Sequence, residues 1–413
     1  MTTKTVLFTF SLLIICVLIF YYYCRIENGD KISTERSRII NLSKDVTLVN
    51  QNLNKGFSFS DSVLIDKQII ILGEQQHGDG VTQQIYAQLV MHLYNKGFKS
   101  LYLEAPLYRT LRFYQSLEHG AGLDFANAVY PFWSRAKETH DLRDFITSKA
   151  KKNDPMYLGG LDFQIPTIFS QDKIREDLML YLKGLNGYNS SDYKHFWFSL
   201  KNRFGPVLFF NSRTKEMESN RQKCLKELKG MSKLVLSQNN ITLKDSIYHR
   251  YIENIYHFYY AKMYLKSLAY NNYRDSILFE NFRWQMAFQK DRKAIVWIAN
   301  EHASKENQTR KTFGGFVKDF YKKRAYTILT TSIEGYTRNV ASGNIQRVNP
   351  VTKNNLEFAL KNKIDSIAFV IPPKNRVAEQ MTMRFYGYHN LANNWFDKLD
   401  AFFLINKMKP NNY

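Results

Sequence analysis

Cysteine is nearly absent from this chain. Of 413 residues three are cysteine, and two of these, Cys16 and Cys24, lie in or beside one apolar segment. Cys224 stands alone in the remainder, so the soluble part has no internal disulfide framework. A zinc site built from several cysteines is excluded as well. Familiar catalytic signatures are also missing. There is no G-x-S-x-G nucleophile elbow, which argues against a serine hydrolase of the usual α/β kind. No G-x-x-x-x-G-K-[ST] loop, no G-x-G-x-x-G fingerprint and no H-E-x-x-H helix occurs. Nucleotide binding of those kinds and that zinc helix therefore have no support. Internal repeats and low-complexity tracts are absent too.

Acidic residues are outnumbered: 58 Lys and Arg face 37 Asp and Glu, a formal net charge of +21. Such a balance favours anionic lipid, nucleic acid or acidic polymers as neighbours. The basic residues are scattered, however, and the densest groups, Lys149-Lys151-Lys152 and Lys318-Lys322-Lys323-Arg324, are short. They read as a solvated basic surface. No nucleic-acid fold signature accompanies them, so nucleic acid is not expected as a partner.

One apolar run stands out. Thr5–Tyr23 carries no charge, and Tyr21-Tyr22-Tyr23 leads into Arg25. An uncharged run of roughly 18 or more residues has the length to span a bilayer, and tyrosine and arginine suit its interface. A cleaved signal peptide is the rival reading, but no A-x-A-like site lies near the end of the run. Lipidation at Cys24 is disfavoured by the three tyrosines before it, where small residues would be needed. The expectation is an anchor over 1–24, a stalk over 25–60 and a soluble domain over 61–413. That domain is expected on the exported, periplasmic or extracellular face.

Four short apolar runs each end on polar groups. Ile69–Gly73 ends on Glu74, with His77 close behind; Leu101–Leu103 ends on Glu104; Met156–Leu161 ends on Asp162. Ala294–Ala299 ends on Asn300, Glu301 and His302. Runs of this kind suit buried parallel strands. Val81, Ile85, Leu89 and Leu93 repeat at helical spacing, Asp79 stands where an N-cap belongs and Gly97 where a C-terminal glycine belongs. Strand, helix, strand is a right-handed parallel unit. The fold class expected is α/β: a mostly parallel sheet flanked by helices. A large helical insertion over about 170–290 should cover the carboxyl rim of the strands. Ala325–Leu329 and Ile367–Val370 add strands, and Gly335–Asn349 reads as a loop. Open α/β sheets place their sites on the carboxyl rim.

On that rim Glu74, His77, Glu104, Asp162, Asn300 and His302 would meet. A neutral histidine beside a carboxylate is a natural general base, although His77 could equally cap a turn. Glu104 could instead be satisfied by Arg109 with no function at all, and Asp162 could be a strand-end cap. Gly159-Gly160 before it would let a ligand or another backbone approach closely.

The ordered set resembles the erythromycin esterase-like family. The match runs through Leu72-Gly73-Glu74-Gln75-Gln76-His77-Gly78, then Gly97 to Glu104, Gly159-Gly160-Leu161-Asp162, Arg274-Asp275, Glu280-Asn281, and Trp297 to Asn300 with His302. The resemblance implies an α/β core with a deep cleft and water-mediated ester hydrolysis without a covalent intermediate or cofactor. It assigns His77 as base, Glu74 and Glu104 as carboxylates that position it, and His302 as a second cleft histidine. It further assigns Arg274, placed just before a helix, to developing negative charge; Asp162 and Asn300 are expected beside the substrate, where Asn300 could also orient a neighbour or hold a loop.

Two departures argue against a macrolide substrate. Where macrolide-opening members carry an arginine after the base, this chain reads Gln83-Gln84-Ile85-Tyr86, and Ala299 stands where they carry a histidine after the tryptophan. The expected partner is therefore a small ester or lactone. The alternative is a metal- or haem-binding protein, with Glu74, His77, Glu104 and His302 as donors and no hydrolysis.

Overall fold

The computed structural model describes residues 35–51, 56–118, 125–152, 154–165, 168–201, 215–288, 293–306 and 310–412. The anchor expected over 1–24 lies outside them, and among the described residues no helix is long and apolar enough to cross a membrane.

Four strands carry the expected site. They are β2 (Ile69–Glu74), β3 (Ser100–Pro106), β4 (Tyr157–Asp162) and β5 (Ala294–Ala299). β1 (Thr47–Gln51), β6 (Ala325–Arg338), β7 (Ile345–Arg347), β8 (Ile367–Ile371) and β11 (Ala401–Met408) complete a nine-stranded sheet. A separate pair is formed by β9 (Met381–Met383) and β10 (Leu391–Asn393). The order in the main sheet is β1-β8-β11-β6-β2-β5-β3-β4, with β7 paired to β6. From β11 to β4 every neighbouring pair is parallel, whereas β8 runs antiparallel to both β1 and β11. The class is therefore α/β with a mostly parallel sheet, as the sequence implied.

The all-apolar strands follow from burial on both faces. Strand side chains alternate between faces, and here they divide between two cores. Ile71, Val296 and Ile298 face one core, while Ile70, Leu72, Ile295 and Trp297 face the other. The second core is covered by the helix Gly80–Asn95 through Ile85, Leu89 and Leu93. That helix stops at Gly97, whose φ of +93° lets Phe98 N–H return to the Leu93 carbonyl.

The first core is covered by the helices Ile168–Lys183, Lys194–Lys201, Lys215–Leu236, Leu243–Tyr264 and Ser267–Phe288 between β4 and β5. The last of these also closes the edge of the sheet. Asn281 Nδ2 donates to the Leu161 carbonyl at 2.7 Å, and Gln285 Nε2 donates to the Gly160 carbonyl at 2.8 Å. Unpaired carbonyls of an edge strand are thereby satisfied by side chains. The two glycines of β4 serve this packing: a Cβ on Gly159 would lie 2.4 Å from the Tyr102 ring and 2.6 Å from Gln285 Oε1.

Three expectations need correction. The described part of the stalk is not a stalk. Residues 35–45 are helical, with Ile39 and Leu42 buried, and Thr47–Gln51 is an edge strand on β8. Leu48 and Val49 gain more from pairing than a solvated linker would. Gly335–Asn349 is not a plain loop, because β6 continues to Arg338 and turns back into β7. β11 has no counterpart in the expectation, although Ala401-Phe402-Phe403-Leu404-Ile405 is an apolar run as strong as the others.

Gly73 is tightly packed by side chains under the rim. A Cβ there would stand 2.5 Å from Asn300 Oδ1 and 2.6 Å from Leu329 Cδ2. Gly73→Ala should destabilise the fold by about 1–3 kcal/mol through overpacking, measured by urea unfolding. An unchanged midpoint would show that Asn300 and Leu329 yield freely.

Candidate active site

β2 delivers Glu74 to the rim, and the following turn brings His77 back onto it. Glu74 Oε1 lies 2.6 Å from His77 Nδ1, and Glu74 Oε2 accepts from Trp297 Nε1–H at 2.9 Å. Trp297 comes from the adjacent β5, in register with Leu72. Both carboxylate oxygens are thus anchored. The His77 ring stacks on Phe132 at 4.5 Å and meets the edge of Trp133 at 5.8 Å. Its side chain keeps 26 % of its exposure, enough to meet solvent, and Nε2 has no hydrogen-bond partner among the described residues.

Two residues not expected at the site hold this turn. Gln83 Nε2 donates to the carbonyls of His77 and Phe132, at 2.8 and 2.9 Å, and so ties the stacking ring to the histidine. Asp79 begins the helix but does not cap it with its side chain. Its Oδ2 instead accepts from Tyr388 O–H at 2.8 Å and from Gln76 N–H at 3.2 Å, bracing the His77 turn from behind. Burial pushes the Asp79 carboxyl up to about 7, and the Glu74 charge adds to the push.

The second cluster is centred on Arg274. Nη2 bridges Glu104 Oε1 at 2.8 Å and Asp162 Oδ2 at 2.6 Å, while Nη1 lies 3.0 Å from His302 Nε2. His302 Nδ1 reaches Asp275 Oδ1 at 2.6 Å, and Arg310 Nε stands 3.3 Å from Asp275 Oδ2. A guanidinium only donates. His302 Nε2 therefore accepts, and its Nδ1–H is donated to Asp275. Glu104 Oε2 takes the Ala299 N–H at 2.9 Å. Arg274 lies within the helix Ser267–Phe288, not ahead of it.

The electrostatics follow from this geometry. Burial opposes the charge of Glu104, but in the acid range where it titrates, with both imidazoles protonated, His302, Arg274 and His77 override it and hold the carboxyl down at about 2. Burial alone would lower His77. The hydrogen bond and charge of Glu74, helped by Glu104, win, and its pKa is raised above the usual 6.5. Carboxylates from Glu74, Glu104, Asp162 and Asp275 outnumber the guanidinium groups of Arg274 and Arg310, so the field at this rim favours a proton on His77.

Six of the seven expected site residues, Glu74, His77, Glu104, Asp162, Arg274 and His302, therefore share the rim. Asn300 sits behind them. Its Nδ2 donates to the carbonyls of Thr330 and Phe385, at 2.8 and 2.9 Å, locking β5 to β6 and to the segment after β9. Arg109 is not the partner of Glu104; it donates to the Asn127 carbonyl. Asp275 and Arg310 had no role among the expected site residues, although Asp275 stood in the family match. Asp275 adjoins Arg274, which was a signal; Arg310 carried none. Glu74, Glu104 and His302 each have atoms engaged within the protein, and among the described residues no group of three His, Cys, Asp or Glu side chains is placed to hold a metal ion.

Comparisons with known proteins agree with this architecture. The model of the family Erythromycin esterase matches residues 93–407. YbfO of Bacillus subtilis (strain 168), whose name assigns it only provisionally as a hydrolase, is 21% identical over 344 residues, covering 75% of either chain. Among solved structures, a Bacillus cereus protein superposes with a TM-score of 0.73 at 20% identity, covering 91% of this chain and 98% of that one. The erythromycin esterase EreC, as a mutant in its open conformation, gives 0.66 at 12% identity over 89% and 99% of the two chains. The chain belongs to the erythromycin esterase family and, at the level of that family, stands among hydrolases.

Proposed function

We propose that this chain hydrolyses an ester or lactone with water activated by His77 and without a covalent intermediate. One observation carries the reading: His77 is held by a carboxylate anchored at both oxygens, while its Nε2 has no partner among the described residues and its side chain is partly exposed. His77 Nε2 takes a proton from water as that water attacks the carbonyl, and Glu74 fixes the tautomer and supports the imidazolium that forms. No hydroxyl bonds His77 among the described residues, so water is the natural nucleophile.

Arg274 offers the substrate oxygen a directed N–H. Two carboxylates already balance its charge, so its contribution lies in geometry rather than in net positive field. Glu104, Asp162 and His302 hold it in place, and Asn300 fixes the rim they stand on. The two departures at Gln83 to Tyr86 and Ala299 support a substrate smaller than a macrolide. The uncharged run Thr5–Tyr23 supports a membrane tether with the domain on the exported face.

Hydrolysis of a panel of esters, lactones and macrolides by the full chain, with and without chelator, tests the reaction. Turnover of simple esters that survives chelator supports the reading; activity lost to chelator moves the chemistry to a metal. The pH profile tests the base. A base must be unprotonated, and Glu74 raises the His77 pKa. The acid limb of kcat/KM should therefore have its midpoint above about 6.5. Glu74→Gln should move that limb to lower pH as well as slow the reaction. A limb that stays in place would show that His77 is not the titrating group.

A further inference from the structure

The basic run Lys318-Lys322-Lys323 plays no part in the site. It lies at the opposite, amino rim of the sheet, in a groove of about 920 Å³ that Lys374 joins from beyond β8. The aspartates in this groove are each engaged by their own cation: Asp66 by Lys67, Asp319 by Lys311, Asp397 by Lys398 and Asp400 by Lys305. Lys318, Lys322, Lys323 and Lys374 are exposed and have no carboxylate within 4 Å among the described residues.

The helix Phe313–Tyr321 ends beside the first three, and its dipole favours cations there. That accounts for Lys318 but not for Lys374, which arrives from a different element. Nor does it account for Lys322, which holds φ +54° and ψ −126°, a conformation glycine adopts at lower cost. Val377 and Pro373 add an apolar lip, with Val377 exposed. Unpaired lysines beside exposed apolar side chains suit the surface of an anionic bilayer.

The chain path points the same way. Asp45 Oδ2 pairs with Arg376 Nη2 at 2.7 Å, and Thr47 is in register with Ile371, a residue of the groove wall. The helix over residues 35–45 thus ends on Asp45 at the lip of the basic groove, and the uncharged run Thr5–Tyr23 lies upstream of it in the sequence. We infer that this groove is a docking face for an anionic membrane, which turns the amino rim toward the bilayer and the His77 rim away from it. The inference does not depend on the reaction proposed above.

The full chain in nanodiscs tests it, using an amine-reactive label read residue by residue by mass spectrometry. In discs of phosphatidylglycerol and phosphatidylcholine, Lys318, Lys322, Lys323 and Lys374 should label about fivefold more slowly than in pure phosphatidylcholine. Lys262, near Tyr270 on the side of the site, serves as the control and should label equally in both. The protection should vanish near 1 M salt, where screening acts within about 3 Å. The fourfold variant Lys318→Gln, Lys322→Gln, Lys323→Gln, Lys374→Gln should melt as the parent does and should lose the protection of Lys67 in anionic discs. Equal labelling in the two discs would overturn the inference. So would equal protection by inorganic phosphate in neutral discs, which would make the groove a site for a soluble anion.

Discussion

His77→Ala should lower kcat/KM for any ester the protein turns over by about 10²–10⁴-fold, the usual contribution of a positioned general base. The side chain is partly open, so the core is not breached, but Glu74 loses the partner of Oε1 deep in the rim. Leaving a buried acceptor unpaired costs about 1–3 kcal/mol, so a modest drop in melting temperature is expected and does not explain the kinetic loss. Added imidazole separates the two effects. It fits the space between Glu74 and Phe132 and should restore part of the rate, whereas a merely structural defect would not respond. Activity within tenfold of the parent would remove His77 from the chemistry.

How far the sequence went is seen by comparing strands. β2, β3, β4 and β5 are buried on both faces, and that physical state leaves an unbroken apolar run that anyone can read. Because the site lies where those runs stop, Glu74, Glu104, Asp162 and His302 were legible as strand-end residues, and their meeting followed from one parallel sheet. What stayed hidden arrives from the side. Gln83 supports His77 from a helix, Phe132 stacks on it from the short helix Pro131–Ser134, and Arg310 reaches Asp275 from beyond the short helix after β5. Such contacts depend on how helices lie over the sheet, and no local period records that. Asn300 shows the converse: its position was legible, yet only the structure shows both amide hydrogens committed to backbone carbonyls. β1 was hidden for another reason. Its pairing with β8 is antiparallel and at the edge, where Leu48 and Val49 are only half-buried, so it reads as a polar linker.

Arg274→Ala should be the most damaging substitution for stability, by about 3–5 kcal/mol, the cost of breaking a buried pair from one side. Glu104 and Asp162 would remain in place, both almost fully buried, without the guanidinium that bridges them. The pH dependence gives this prediction its signature. In the parent, Glu104 is held at about 2, well below the value near 4.3 of a free glutamate. A depressed carboxyl contributes stability above its unfolded pKa and loses it as pH falls toward its folded one. The gap between parent and variant, measured by urea unfolding, should therefore be full at pH 7 and shrink between about pH 4.3 and 2. A gap below about 1 kcal/mol, or one that does not change with pH, would mean that the cluster is held by packing and not by charge. Arg274→Lys completes the argument. An ammonium can sit between the two carboxylates and recover part of the stability. It cannot present a planar fork to His302, Glu104 and Asp162 together, so turnover should stay low while the fold returns.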